Sequence, residues 1–455
     1  MNRQQLLDSG VPHELITKAM DTIKVLAAKK VSNIRYVLED CVNNPEVVLG
    51  ENKEYLYGFA NAVLEYKNRP VKEPATYQTW GADGIEEVAK EQMDTACEIP
   101  PAVAGALMPD AHLGYGLPIG GVLALDNAIC PYAVGVDIAC RMKVSVLPMQ
   151  ATEFDANRDR LRQALVDCTV FGVGQEQTRQ HKHDVFDQDW RITDVTRKNR
   201  QKARQQLGTS GSGNHFVEWG VVTVEEKDEQ LGLEPGEYVA LMSHSGSRGA
   251  GAAVCKHYSK LAERLLPNHL KQYKNLAWLD MDSAEGQEYW AAMNLMGDYA
   301  AANHDVIHRR CVGYMGENPI AVVENHHNFA WKENHNGKEV YVHRKGATPA
   351  GEGVLGVIPG SMADPAYLVR GRGNVDSLDS ASHGAGRKMS RRAAKEKFGY
   401  QEFVQTVALK GVELISASAD ELPGAYKNID EVMSNQTDLV TRIARFDPRI
   451  VRMAE

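Results

Sequence analysis

The chain has 455 residues, enough for one large domain or two to three smaller ones. Its 51 basic and 60 acidic residues give a formal charge of −9, which excludes a general nucleic-acid coating protein but leaves room for a local basic groove. No stretch of about 18 apolar residues could span a bilayer, and the opening MNRQQLLDSG lacks the apolar core of a signal peptide. Seven scattered cysteines form no disulfide framework, so the expectation is a cytoplasmic protein with reduced thiols and no membrane partner.

Residues 1–75 predict a small helical extension ending near Pro70–Pro74. Leu15, Ile16, Ala19, Met20, Ile23, Leu26 and Ala27 recur at helical spacing, as do Leu56, Phe59, Ala60, Val63 and Leu64. Pro12 sits where a first helical turn tolerates proline. From 76 to 455 the pattern changes to short β-like runs that lead into polar loops: Arg141–Leu147, Phe216–Val222, Tyr238–Met242, Val340–His343 and Val354–Ile358. Long helical patterns alternate with them, notably Ser283 to about His308, and the charged stretch Arg179–Arg204 predicts a surface loop or exposed helix. No fixed repeat and no regular βαβ rhythm appears. The prediction is a single large irregular α+β domain behind the helical extension.

Between Pro109 and Arg387, five glycine-flanked strings carry the reactive residue types: PDAHLGYGLPIGG, GVDIAC, GTSGSGNHFVE, HSGSRG and ASHGAGR. The HHN at His326–Asn328 joins them. Glycine beside a reactive side chain means a sharp turn or a close backbone approach, and six such sites predict one active site gathered from distant loops. Asp137 and Cys140 follow an apolar run, and His215, His244 and His327 each lie at or just past a strand-like run. Carboxylate, thiolate and imidazoles brought from separate strand ends are how catalytic metal sites are assembled, and the ligand types leave zinc, iron and manganese open. His304 and His308 mimic a zincin pair, but Asp305 stands where that motif needs Glu, so they are expected to be solvated or core histidines. His181 and His183, in the charged stretch, are poor candidates too.

Phosphate is the second theme. GTSGSGN and PGSM offer small residues whose backbone N–H groups could cradle oxyanions, though neither is a Walker loop or a dinucleotide fingerprint. Arg248 and Arg387, fixed near glycine turns, suit bidentate phosphate binding. His383, with Arg387 one helical turn on, suits a nucleophile or general acid/base.

The strings MPDAHLGYGLPIGG, AVGVDIAC, GSGNHFVE, HSGSRG, HHN, RKGA, PGSM, SHGAGR and PGAYKNIDEV, in this order from about Trp80 onward, resemble the RtcB family of RNA ligases. The resemblance implies a GTP- and manganese-dependent enzyme that joins RNA 2′,3′-cyclic phosphate or 3′-phosphate ends to 5′-hydroxyl ends, in RNA repair or tRNA splicing. By motif position, Asp137, Cys140, His215, His244 and His327 hold two manganese ions, with Cys140 between them. His383 takes GMP as a covalent phosphoramidate, and Arg387, Arg248 and the carboxylate Asp110 assist. Asn214, His215, Phe216, Val217, Glu218, His327 and Asn328 belong to the guanylate pocket, as do Pro359, Gly360, Ser361, Met362, Gly384, Ala385, Gly386 and Tyr426. An accessory activator or repair partner also fits the family pattern. Metal-dependent RNA phosphodiesterase or cyclic-phosphate hydrolase chemistry, and a non-catalytic repair scaffold, are the alternatives.

The chain departs from the family in four places. Arg141 stands where glycine usually follows the cysteine, placing a bulky charge beside the metals. Ala363 and Ala366 replace the glycine and serine after PGSM. The end, RIVRMAE, lacks the family's guanine-contacting lysine, with Arg449 or Arg452 as substitutes. The extension at 1–75 is an addition. Guanine reading is the part these departures touch, and together they suggest a divergent branch.

Overall fold

The computed structural model describes residues 1–12, 15–68, 72–397 and 399–455; Pro70, in the expected boundary, lies outside them. The chain divides into two units, Met1–Glu73 with Leu265–Lys274, and Pro74–Arg264 with Asn275–Glu455. No helix among the described residues is long and apolar enough to cross a membrane.

The first unit is helical: Arg3–Asp8, Ile16–Ala28, Ile34–Asn43, Pro45–Gly50 and Glu54–Lys67. Leu6, Ala19, Leu26, Leu38, Leu56, Phe59 and Val63 form a core of its own. Met20, expected on the same stripe, stays exposed. Pro12 precedes its helix rather than opening it, and its carbonyl accepts from the Leu15 N–H at 2.9 Å.

The second unit is one large domain of mixed sheets and helices. An eight-stranded sheet runs in the order Leu355–Pro359, Ala366–Gly371, Val440–Met453, Phe216–Val224, Gly236–Ser245, Arg141–Gln150 and Ala321–His326, with Glu413–Ser416 paired beside Val440–Met453. A five-stranded sheet holds Tyr77–Thr79, Ala102–Tyr115, Leu117–Leu125, Lys338–Lys345 and Asn328–His335. Ala106, Val122 and Val342 of the smaller sheet share a core with Ile358, Tyr367 and Val369 of the larger one.

Two-residue alternation assigns the faces of the large sheet. Val217, Trp219, Val221, Val239 and Leu241 pack on one face against Leu161 and Leu165 of the helix Arg158–Cys168 and Ile307 and Cys311 of the helix Ala284–Met315. Val222, Val224, Ala240, Met242, Met142, Val144 and Val323 pack on the other. Because both faces are covered, these strands read as nearly continuous apolar runs, which is what made them visible in the sequence.

The long helix starts as expected, where the Ser283 hydroxyl accepts from the Gly286 N–H at 3.1 Å. It runs past His308 to Met315 because the first residue to take a left-handed conformation is Gly316, with φ of +71°. His304 and His308 are core residues. Ser243 Oγ lies 2.8 Å from both rings, and His308 Nδ1 lies 2.8 Å from Ser145 Oγ. The charged stretch ends in an amphipathic helix, Asp194–Gln206, capped by Thr193.

His343 joins the smaller sheet to the segment leading to Asp137. Its Nδ1–H donates to the Tyr341 carbonyl (3.0 Å), and its Nε2 accepts the Cys130 N–H (2.9 Å). Accepting the Cys130 N–H needs the neutral ring, and burial pulls its pKa from 6.5 to about 4. The unfolded chain therefore takes up this proton at a higher pH than the fold does. Replacing His343 with Leu should cost about 1–3 kcal/mol in urea denaturation at pH 7, because a buried N–H loses its acceptor. The gap to wild type should close as pH falls from 6.5 toward 4, where the neutral ring's contribution is lost.

Candidate active site

The alternation that builds the sheet also places its reactive side chains. In the register, Met142 pairs with both His244 and Asn325, and Phe216 pairs with His244. Continuing each strand by its period of two puts Cys140, His244 and His327 on the face of Met142, Met242 and Val323, at a common end of the sheet. His215 joins them from the turn before Phe216. Cys140 Sγ lies 3.1 Å from His244 Nε2 and 3.3 Å from His215 Nε2, and the two Nε2 atoms of His244 and His327 are 3.1 Å apart. Asp137 Oδ2 closes the group, 3.0 Å from His215 Nε2.

The donor chemistry fits a metal ion. The donor atoms of Cys140, His215 and His244 all lie within 4.8 Å of one another. His215 Nδ1 lies 2.9 Å from the Ser210 carbonyl and His244 Nδ1 3.0 Å from the Asn214 carbonyl, so each Nδ1–H is used outward and each Nε2 lone pair faces inward. Arg248 Nη2, 3.1 Å from the same His215 Nδ1, acts there as a nearby charge, since that nitrogen already donates to Ser210. Burial drives His244 to about 3 and His327 well below the usual imidazole range, keeping both neutral. Burial and then the Asp137 charge push the Cys140 thiol well up, which is the setting in which a bound cation supplies the charge that ionises it. Burial opposes ionisation of Asp137, but its close approach to His215 and the nearby Arg248 guanidinium hold its carboxyl well below the carboxylate range.

Two glycines in the motifs exist for close approach. A Cβ on Gly246 would stand 2.2 Å from Asp137 Oδ1, and one on Gly211, at φ +83°, would stand 1.5 Å from Arg248 Nη1. The GTSGSGN loop thus makes room for an arginine beside the metal group, a role that glycine content alone does not reveal.

A cavity of about 820 Å³ contains Asp137, Cys140, His215, His244 and His327. His383 stands on its wall at the end of the short strand Ser380–Ser382, its ring centroid 4.8 Å from that of His327. Its Nδ1 lies 2.7 Å from Oδ2 of Asp110, which is fully buried and also accepts the His383 backbone N–H at 3.2 Å. Asp110 sits where the register of Ala102–Tyr115 against Leu117–Leu125 shifts, an irregularity that aims its carboxylate off the sheet. Lys427 Nζ secures that turn through the carbonyls of Pro109 and Ala111.

Of the expected nucleotide residues, Asn214, Phe216, Asn328, Pro359–Met362, Gly384–Gly386 and Tyr426 line this cavity. Alternation turns the Val217 side chain to the opposite face, among Trp219 and Leu165, which leaves its backbone as the part nearest the cavity side of the strand. Glu218 lies beneath the cavity on the face of Phe216; burial pushes its carboxyl well up, and its Oε2 has no partner among the described residues. Arg387 lines the wall, but its donors reach Glu421 Oε2 (3.2 Å), the Tyr426 hydroxyl (3.3 Å) and the Asp420 carbonyl (2.8 Å). Arg391, also on the wall, pairs with Asp420 at 2.7 Å and with Glu421.

Arg391 and Glu421 lie outside the glycine strings, and Lys345, although inside RKGA, is not a residue that its spacing singles out, so all three are passed over in the sequence. One sequence expectation fails. Arg141 does not face the metal group: as the next residue after Cys140 it points to the opposite face, where Nη1 lies 3.4 Å from the Gly297 carbonyl. Arg452 Nη1 caps the carbonyls of Leu165 and Val166, both at 2.8 Å, and the side chain does not line the cavity. Arg449 does not line it either, and Ala366 is buried among Val357, Leu368 and Phe446.

Known proteins resemble this chain over most of its length. A family model described as tRNA-splicing ligase RtcB matches residues 92–194 and 188–454. The RNA-splicing ligase RtcB of Escherichia coli (strain K12) is 33% identical over 407 residues, covering 83% of this chain and 96% of the relative. The tRNA-splicing ligase RtcB of Archaeoglobus fulgidus is 31% identical over 438 residues, covering 80% and 90%. RNA-splicing ligase RtcB homolog 1 of Entamoeba histolytica is 31% identical over 432 residues, covering 79% and 82%. A strand-end cluster of thiol and imidazoles, a carboxylate-anchored histidine on the same cavity and this extent of similarity have one common account: the chain belongs to the RtcB family of RNA ligases.

Proposed function

We propose that residues 76–455 catalyse GTP-dependent joining of RNA 3′-phosphate or 2′,3′-cyclic phosphate ends to 5′-hydroxyl ends, with His383 as the group that carries GMP. The observation that supports this most is the His383–Asp110 pair. The ring's Nδ1 is engaged by Asp110 at 2.7 Å, so Nε2 is the nitrogen left to react, on the wall of a cavity large enough for a nucleotide. Nε2 attacks the α-phosphorus of GTP; an N–P bond forms, the P–O bond to the β-phosphate breaks, and pyrophosphate leaves. Asp110 holds the ring and stabilises the imidazolium charge as it develops. An oxygen of the RNA 3′-phosphate then attacks the same phosphorus and releases Nε2, leaving an RNA 3′-pp-5′-G end. The RNA 5′-hydroxyl next attacks the RNA phosphorus, giving up its proton, and GMP departs. A cyclic phosphate is opened by water beforehand.

Asp137, Cys140, His215, His244 and His327 would hold the divalent ions, two manganese ions in this reading. Such ions supply neutralisation of phosphoryl charge and polarisation of the phosphorus–oxygen bonds. Arg248, beside Asp137 and His215, adds a fixed positive charge at the same end of the cavity. Asn214, Phe216, Asn328, Pro359–Met362, Gly384–Gly386 and Tyr426 surround the nucleotide.

Incubating the protein with manganese and α-phosphate-labelled GTP should leave an acid-labile, hydroxylamine-sensitive label on the chain, absent in His383→Ala. Asp110→Asn should slow labelling by at least about 10²-fold. A folded, metal-loaded protein that takes no label would turn the reading toward hydrolysis without ligation. Labelled ATP run in parallel measures how far guanine is read.

The metal assignment has its own readout. Manganese should raise the Tm of the wild type, because an ion bound only by the fold stabilises it by about 2.7 kcal/mol at a hundredfold excess over Kd. Cys140→Ala should lose that rise together with bound metal measured by elemental analysis.

A further inference from the structure

The rim of the cavity carries three apolar side chains that the chemistry described above does not use. Tyr115 is 74% exposed, Val136 54% and Leu113 52%, and all three line the same cavity as His383 and the metal group. Isolated exposed apolar residues are ordinary, but three at the mouth of one polar cavity are not scattered.

Beneath the exposed ring the backbone is held from several sides. Gln92 grips Gly114 in both directions: its Nε2 donates to the Gly114 carbonyl and its Oε1 accepts the Gly114 N–H, each at 2.9 Å. The Tyr115 carbonyl accepts from Lys345 Nζ, which also reaches the Tyr132 carbonyl at 3.3 Å. Gly116, at φ +73°, lies so close to the Asn275 carbonyl that a Cβ there would stand 2.2 Å from it. The ring of Tyr132 stands 6.5 Å from that of Tyr115 on one side. An aromatic ring on a fixed backbone, open to solvent and adjoining a site for phosphate ends, is preorganised to stack on a planar partner.

We propose that Tyr115, flanked by Leu113 and Val136, is a stacking platform for the nucleobase next to an RNA end seated in the cavity. The occupant is single-stranded RNA, because the platform is continuous with the cavity where the RNA end reacts, and every base offers a π-face whatever its sequence. The inference rests on the ligase reading above.

The test uses the full-length protein and a short RNA pair, one strand ending in a 3′-phosphate and the other in a 5′-hydroxyl. Tyr115→Ala should raise KM for RNA by about 5- to 150-fold with a much smaller change in kcat, and Tyr115→Phe should restore it. An abasic site at the terminal nucleotide of one of the two strands should reproduce the loss in wild type and add nothing to Tyr115→Ala. Labelling of His383 by GTP should keep its GTP dependence in Tyr115→Ala. An unchanged RNA KM, an abasic penalty that adds in full to the variant's, or a weakened GTP requirement in place of the RNA one would each overturn the platform while leaving the ligase reading intact. Failure of wild type both to take label and to join RNA would instead remove the ligase reading, and the platform with it.

Discussion

The two-residue alternation of one eight-stranded sheet is the constraint on which the rest of the site depends. Met142, Met242 and Val323 must face the core on one side, and Trp219 and Leu241 must face the long helix on the other. A slip of one residue in any strand would invert both faces, so burial fixes the register tightly. With the register fixed, Cys140, His244 and His327 have no freedom over which side they emerge on. They meet at one end of the sheet, within hydrogen-bonding distance, because apolar residues further along the same strands are locked in the interior.

What converges there is shaped by the layer behind it. The carbonyls of Ser210 and Asn214 orient two imidazoles so that their free lone pairs point at the thiol. Gly246 and Gly211 leave out the methyl groups that would collide with Asp137 and Arg248. The opposite face carries its own polar chain, Ser145–His308–Ser243–His304, in which serines beside the reactive positions are satisfied within the core. Ser243 and His244 are neighbours in sequence with opposite fates, and the pleat is the reason.

The far wall of the cavity is built from paired charges. Arg387 and Arg391 share Glu421, Arg391 also pairs with the Asp420 carboxylate, and the Tyr426 hydroxyl donates to Glu421. Glu421 is 1% exposed, and a carboxylate at that depth needs such partners. The arrangement ties Arg387 into the wall with its guanidinium donors already partly engaged. Arg248 stands beside the metal group, its Nε donating to the Gly246 carbonyl at 3.3 Å and its Nη2 3.6 Å from Asp137 Oδ2.

Read from the sequence, the strands Arg141–Leu147, Phe216–Val222 and Tyr238–Met242 were legible because burial on both faces writes long apolar runs. The metal-type residues were legible because each sits at the end of such a run beside glycine or asparagine. The class of fold followed from the irregular mixture of the two periodicities. Helix ends were less so: the run past His308 to Gly316 carries no break that periodicity alone would weigh. Tertiary structure alone decided that Arg141 turns away from the metal group, that Arg452 caps a helix, and that Val217 faces the wrong side of its strand for the cavity. It alone brought Asp110 to His383, 273 positions apart, and Glu421 to Arg391. Local sequence sets residue type and strand phase through the burial each position requires; which distant side chain fills the remaining hydrogen-bonding capacity is set by how sheets and helices pack, and no short spacing encodes that.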